Sequence, residues 1–183
     1  KRQSMNTPDN SIVRIFDSTN RIVGAGFLVS SNLVVTCAHV IKMISDQAEL
    51  PATMMLDFPL VENGSKISGK IVFLDTKRDV ACLDVTGLLP VGVNPAKLTI
   101  ADNLWGHTFR TFGFPNGYSN GVWSSGLLRS NTGKGWLQIE DVKNTGYSIQ
   151  PGFSGGLVWD DQLKAVVGII TAAEIDQSIK AAF

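Results

Sequence analysis

The sequence predicts an all-β protein, and three observations carry that prediction. Short apolar runs of about four to eight residues, rich in Val, Ile, Thr and Phe, fit strands better than helices. Turn-forming stretches interrupt them about every ten residues, the spacing of a barrel or sandwich. The segment TGLLPVGVNPAKLTI at 86–100, with two prolines and two glycines, separates two sets of about six runs each. A length of 183 residues, 44% of them hydrophobic, suits one domain or two small barrels packed as a unit.

Residues 1–10 are polar and read as a lead-in. The first set occupies 11–89. It opens with SIVRIF, RIVGAGFLVS and LVVTCAHVI, separated by DSTN and SN turns. VIKMISDQAE at 40–49 suits one or two helical turns, after which ATMMLDFPL returns to strand and VENGSKISGKIVFLD reads as a hairpin followed by a strand. Residues 90–100 form the connection. The second set, 101–183, holds HTFRTFGF, VWSSGLLRS, WLQIEDV, SIQPGFSGGLVW and KAVVGIITAAEI, with turns at PNGYSNG, NTGKG and DDQ. The two sets share no sequence repeat. GSKISGK has the spacing of a phosphate-binding loop, but Ile71 stands where Ser or Thr should hold magnesium, and a strand follows where a helix should begin.

Sixteen basic and sixteen acidic residues give no net charge, and no basic face stands out, so no nucleic-acid partner is expected. The four tryptophans are scattered and read as core or hairpin packing, not as a base-stacking platform. No apolar run approaches eighteen residues, which speaks against a membrane partner. Cys37 and Cys82 lie inside apolar runs and read as reduced core thiols, which favours the cytosol. Because the chain opens at Lys1, a processed form is expected, and an upstream leader would send it to the periplasm or outside the cell. Asn63-Gly64-Ser65 is a glycosylation acceptor only after export. His107 reads as a packing or surface residue. Neither histidine has an acidic or cysteine cluster at ligand spacing, so neither metal nor cofactor is expected.

The chemistry concentrates in QPGFSGG at 150–156. Glycines around Ser154 permit a sharp turn that exposes its hydroxyl and aims backbone N–H groups at one point, where a negative oxygen can be held. A hydroxyl is a poor nucleophile at neutral pH, so a base and an orienting acid are needed. His39 sits where the apolar run LVVTCAHVI gives way to a helical turn, and Asp79 opens another run in TKRDVACLDV, with Asp75 and Asp84 as weaker alternatives. The rival GxSxG elbow of α/β-hydrolases requires serine, acid, then histidine along the chain, and no histidine follows Ser154. The surviving order, His39, Asp79, Ser154, is that of chymotrypsin-type enzymes.

With TCAHV, RDVACLDV and GFSGG in that order, the chain resembles the chymotrypsin-fold serine peptidases, above all bacterial HtrA-like and related trypsin-like peptidase domains. The resemblance runs from GAGFLVSSNLVVTCAHVI through FGFPNG and SSGLL to GFSGGLVWDDQLKAVVGIITA. It implies two six-stranded antiparallel Greek-key β-barrels with the active site in the cleft between them, acting on protein or peptide substrates. His39 would be general base and acid, Asp79 its orienter, Ser154 the nucleophile, and the N–H groups of Gly152 and Ser154 the oxyanion hole. The primary pocket would be walled by Ser148, Ile149 and Gln150 with Thr171, Ala172 and Ala173. Ser148 matches the trypsin acid position, so the expectation is cleavage after small or medium apolar residues.

Two departures carry expectations of their own. Phe153 stands where digestive-type members carry the acid that pairs with a newly cut N-terminus. Control by loop ordering or by a neighbouring domain is therefore expected. The chain also stops at Phe183, where resembling domains continue, which implies a fused or associated regulatory domain. The contrasting expectation is a catalytically silent peptide-binding or scaffolding module on the same fold.

Overall fold

Strands form where the apolar runs predict them. In the first half these are β1 (Ile12–Phe16), β2 (Ile22–Leu28), β3 (Leu33–Thr36), β4 (Thr53–Asp57), β5 (Ile67–Asp75) and β6 (Val80–Thr86). The computed structural model describes residues 7–43, 51–61, 65–141 and 145–171, with the backbone of 181–182. These six strands pair in the order β1-β2-β3-β6-β5-β4, and β4 returns to β1, so the barrel closes and leaves no edge. Alternation sends Val13 and Ile15 of β1 inward to Leu28, Val34, Leu56 and Leu83. Arg14 points the other way.

After β3 the chain turns into the short helix α1 (Ala38–Lys42). Ala38, Val40 and Ile41 are buried, and Val40 and Ile41 join the barrel core. The remaining face, which carries His39, turns outward. The rest of the helical stretch expected over 40–49 lies mostly outside the described residues.

The second half contains β7 (Thr108–Gly113), β8 (Val122–Asn131), β9 (Leu137–Glu140), β10 (Leu157–Asp160), β11 (Ala165–Ile169) and the two-residue β12 (Ala181–Ala182). Their order is β11-β10-β7-β8-β9-β12, which repeats the topology of the first half strand for strand, with one pairing missing. A second closed barrel was expected. Among the described residues this sheet curls but does not close, because β11 and β12 do not pair. The connector takes part of the outer edge of β11 instead: Thr99 N–H donates to Val166 O, Val166 N–H to Lys97 O, and Leu98 bridges Val166 in parallel.

The halves are joined by a shared apolar cluster. Ile12, Ala25 and Phe27 from the barrel meet Phe112, Phe114, Leu157, Trp159 and Val166 from the second sheet. Trp159 is 1% exposed. Full burial of a large apolar side chain contributes about 1.5–3 kcal/mol, so this cluster helps to hold the two halves together.

Candidate active site

The seam is where the chemistry-bearing residues collect. His39 Nδ1 lies 2.7 Å from Asp79 Oδ2, and the backbone N–H of His39 donates to Asp79 Oδ1 at 2.9 Å. Both carboxylate oxygens are thus engaged by one residue, which fixes the plane of the imidazole. Asp79 sits between β5 and β6 with φ of +57°, a left-handed conformation that Asp tolerates better than most residues. The turn before it is shaped by Asp75, whose Oδ1 accepts the N–H groups of Lys77 and Arg78. Those contacts, that of Arg78 foremost, hold the Asp75 carboxyl below its ordinary pKa. Asp84 accepts from Asn32. Neither alternative acid partners His39.

Ser154 comes to the same place from the second half. Its carbonyl accepts the N–H of Ala25 in β2 at 2.9 Å. Gly155 has φ of +83°, and a Cβ there would lie 2.0 Å from Ala25 O, so only glycine allows the turn to press this close to the barrel. Gly152 has φ of +106° and lies against the backbone of Phe114 and Pro115 in the same manner. Phe153, between Gly152 and Ser154, is wholly buried in the second core and anchors the turn by packing. The N–H groups of Phe153, Gly155 and Gly156 donate to Gln150, Ile170 and Phe153 carbonyls, whereas those of Gly152 and Ser154 have no acceptor among the described residues. Ser154 Oγ likewise has no hydrogen-bond partner among them.

Cys37 is a member of this site that sequence reasoning missed. Its thiol donates to Ile170 O at 3.1 Å, the same carbonyl that accepts the N–H of Gly155. Its Sγ lies within 4.8 Å of a ring nitrogen of His39 and a carboxylate oxygen of Asp79. Burial first, then the charge of Asp79, push this thiol far above its ordinary pKa. One signal was available: Cys37 is two residues before His39 at the same strand end.

The remaining expected residues scatter more. Ser148 Oγ donates to Asp141 Oδ2 at 2.9 Å, which brings a carboxylate to the expected pocket base that sequence reading had not assigned there. Ile149 packs toward the second core, Gln150 is exposed and Thr171 is half-buried. Ala172 and Ala173 lie outside the described residues. His107, read as packing or surface, instead has Asp160 as a partner at 2.7 Å.

A family model of the trypsin-like peptidase domain matches residues 24–169. The chain belongs to that family. No curated protein matches the peptidase domain. Among solved structures it is similar to a serine endoprotease from Yersinia pestis, with a TM-score of 0.72 at 19% identity, covering 100% of this chain and 62% of that one. It is also similar to an inactive serine-to-alanine mutant of Rv3671c from M. tuberculosis H37Rv, with a TM-score of 0.72 at 22% identity, over 96% of this chain and 80% of that one. An inactive form of the Rv3671c protease gives 0.70 at 22% identity, over 96% and 83%. At such identities the likeness is one of fold. The domain spans less than two thirds of the Yersinia chain.

Proposed function

We propose that the domain is a serine endopeptidase that hydrolyses peptide bonds through an acyl-enzyme on Ser154. The observation that carries this reading is the His39–Asp79 pair, at 2.7 Å and doubly held, on the same seam as a strained serine turn with two unengaged N–H groups. His39 takes the proton of Ser154 as the hydroxyl attacks the carbonyl carbon and returns it to the leaving amine. Asp79 fixes the tautomer and stabilises the imidazolium. The N–H groups of Gly152 and Ser154 receive the negative oxygen, each worth about 3–4 kcal/mol in the transition state. Water, activated by the same imidazole, then releases the acid.

Regulation by loop ordering or by a fused domain fits the turn. Phe153 leaves a new N-terminus nothing to pair with, and apolar packing does the anchoring. The substrates are proteins or peptides, cut after small or medium apolar residues. Among the described residues no helix is long and apolar enough to cross a membrane.

A fluorophosphonate tests the reading. The wild type should be labelled and Ser154→Ala should not; an unlabelled wild type overturns it. The second reading, a silent peptide-binding module, is favoured by the missing Ser154–His39 hydrogen bond. Such contacts are often long in free enzymes and tighten on substrate. Binding of a peptide without labelling or turnover would establish this second reading.

A further inference from the structure

Arg14 lies in the closed barrel, yet one of its nitrogens is spent on the other half of the molecule. Arg14 and Asp57 face each other across β1 and β4. Nε and Nη2 of Arg14 bind the two Asp57 oxygens at 3.0 and 2.6 Å, a fork that sets the guanidinium plane. Asp57 is 4% exposed, so this orientation is well held. The third donor, Nη1, then projects from the barrel and binds the backbone carbonyl of Ser119 at 2.6 Å. Among the described residues this is the one hydrogen bond between the barrel and the loop at 114–121. The guanidinium also faces the ring of Phe114, 5.9 Å from its centroid.

That loop carries the serine turn. Phe114 N–H donates to Gly152 O at 2.8 Å, and the backbone of Phe114 and Pro115 lies directly against Gly152. Further along, the Tyr118 ring of the loop meets Tyr147 edge-on at 4.8 Å, and Ser124 Oγ of the following strand β8 holds the Tyr147 carbonyl at 2.6 Å, so loop and strand together brace the segment leading into Ser148. A tilt of the loop would carry Gly152, and with it one of the two free N–H groups, off target.

We propose that Arg14 is a positioning residue that holds the Gly152–Ser154 turn in its oxyanion-binding shape through the 114–121 loop. This rests on the peptidase reading of the site. Arg14 touches no reacting atom. Its fork geometry lets one side chain satisfy a carboxylate and a distant carbonyl together, which the single ammonium of lysine cannot do.

Arg14→Lys is the test, because it keeps the charge beside Asp57 and gives up the reach to Ser119. With the folded fraction fixed by a thermal melt, kcat should fall about tenfold to a hundredfold while KM stays within about twofold. Affinity for a peptidyl boronate, which places an oxygen in the anion site, should fall in parallel with kcat, and binding of the product peptide should not change. Asp57→Asn, which loosens the fork and keeps Arg14, should fall between the two. It serves as the test variant if Arg14→Lys does not fold. A folded variant with wild-type kcat and boronate affinity overturns the proposal, as does a loss that merely follows the unfolded fraction. A wild type that never labels sinks the peptidase reading instead. Hydrogen exchange still decides the positioning role in that case: amides at 114–121 and 152–155 should exchange faster in the variant, and unchanged rates overturn it.

Discussion

Each half of this molecule holds a histidine against an aspartate at 2.7 Å, Nδ1 to Oδ2, and the two pairs differ in nearly everything else. In the first half, Asp79 lies in a left-handed turn at the seam, its side chain 21% exposed, and receives both the ring and the backbone N–H of His39. In the second, Asp160 is fully buried at the end of β10, where its other oxygen caps the β10–β11 turn by accepting the N–H groups of Gln162 and Leu163. His107 joins that cap to the start of β7 and has no serine turn beside it. A His–Asp contact is therefore not a catalytic signature by itself. Its meaning is set by what occupies the opposite side of the imidazole.

The two pairs should part most widely on substitution by asparagine. Asp79→Asn should lower kcat by about 10³- to 10⁴-fold with little change in melting temperature, because the imidazole loses its tautomer control and its countercharge. Steady-state kinetics alongside a thermal melt would show it, and wild-type kcat would remove Asp79 from the proposed mechanism. Asp160→Asn should do the reverse. Loss of a buried carboxylate from two amide donors and an imidazole should destabilise by about 1.5–3 kcal/mol, read by denaturant unfolding, with kcat per folded molecule retained.

A smaller effect separates turn caps from the site. Asp17, after β1, binds the N–H groups of Thr19 and Arg21, the Thr19 hydroxyl and the Arg21 guanidinium. Burial raises its pKa, but these donors outweigh burial and bring it from 3.8 to about 2. Because the folded value lies below the unfolded one, its stabilising share is complete above about pH 4 and disappears as pH falls through 2. Asp17→Asn should therefore cost about 1–2 kcal/mol at neutral pH and flatten the acid limb of the stability curve, measured by unfolding at several pH values. The finest distinction concerns the pocket. A peptide library should favour small or medium apolar residues before the cut; a strong preference for Arg or Lys would instead give Asp141, beside Ser148, a direct role in binding.

Much of the first half was legible in the sequence. β-branched runs between turn residues specify β1 closely and β2 and β6 in outline, the run that opens as β3 goes on into α1, and the pairing of His39 with Asp79 matches the order read along the chain. What escaped depends on registers and edges. The β12 strand has two residues and no pattern. The connector's bridge to β11 at Val166 is a pairing that no local periodicity encodes. Cys37, Asp141 and the His107–Asp160 pair involve partners far apart in the chain, and Arg14 meets Asp57 only because the β1–β4 register sets them opposite one another. Apolar alternation predicts which face a residue takes, and says little about which polar group waits there.

Because the serine turn belongs to the second sheet and is bonded to β2, while the imidazole rides on the barrel, neither half holds both parts of the proposed centre. The linker around Val91, almost fully exposed, offers a place to sever the chain, though Val93, packed on the barrel core, would then belong to the second fragment. On the peptidase reading proposed above, two such fragments would each be inert and would regain hydrolysis only when brought together, so the seam would make the domain a reporter of proximity between whatever is fused to its pieces.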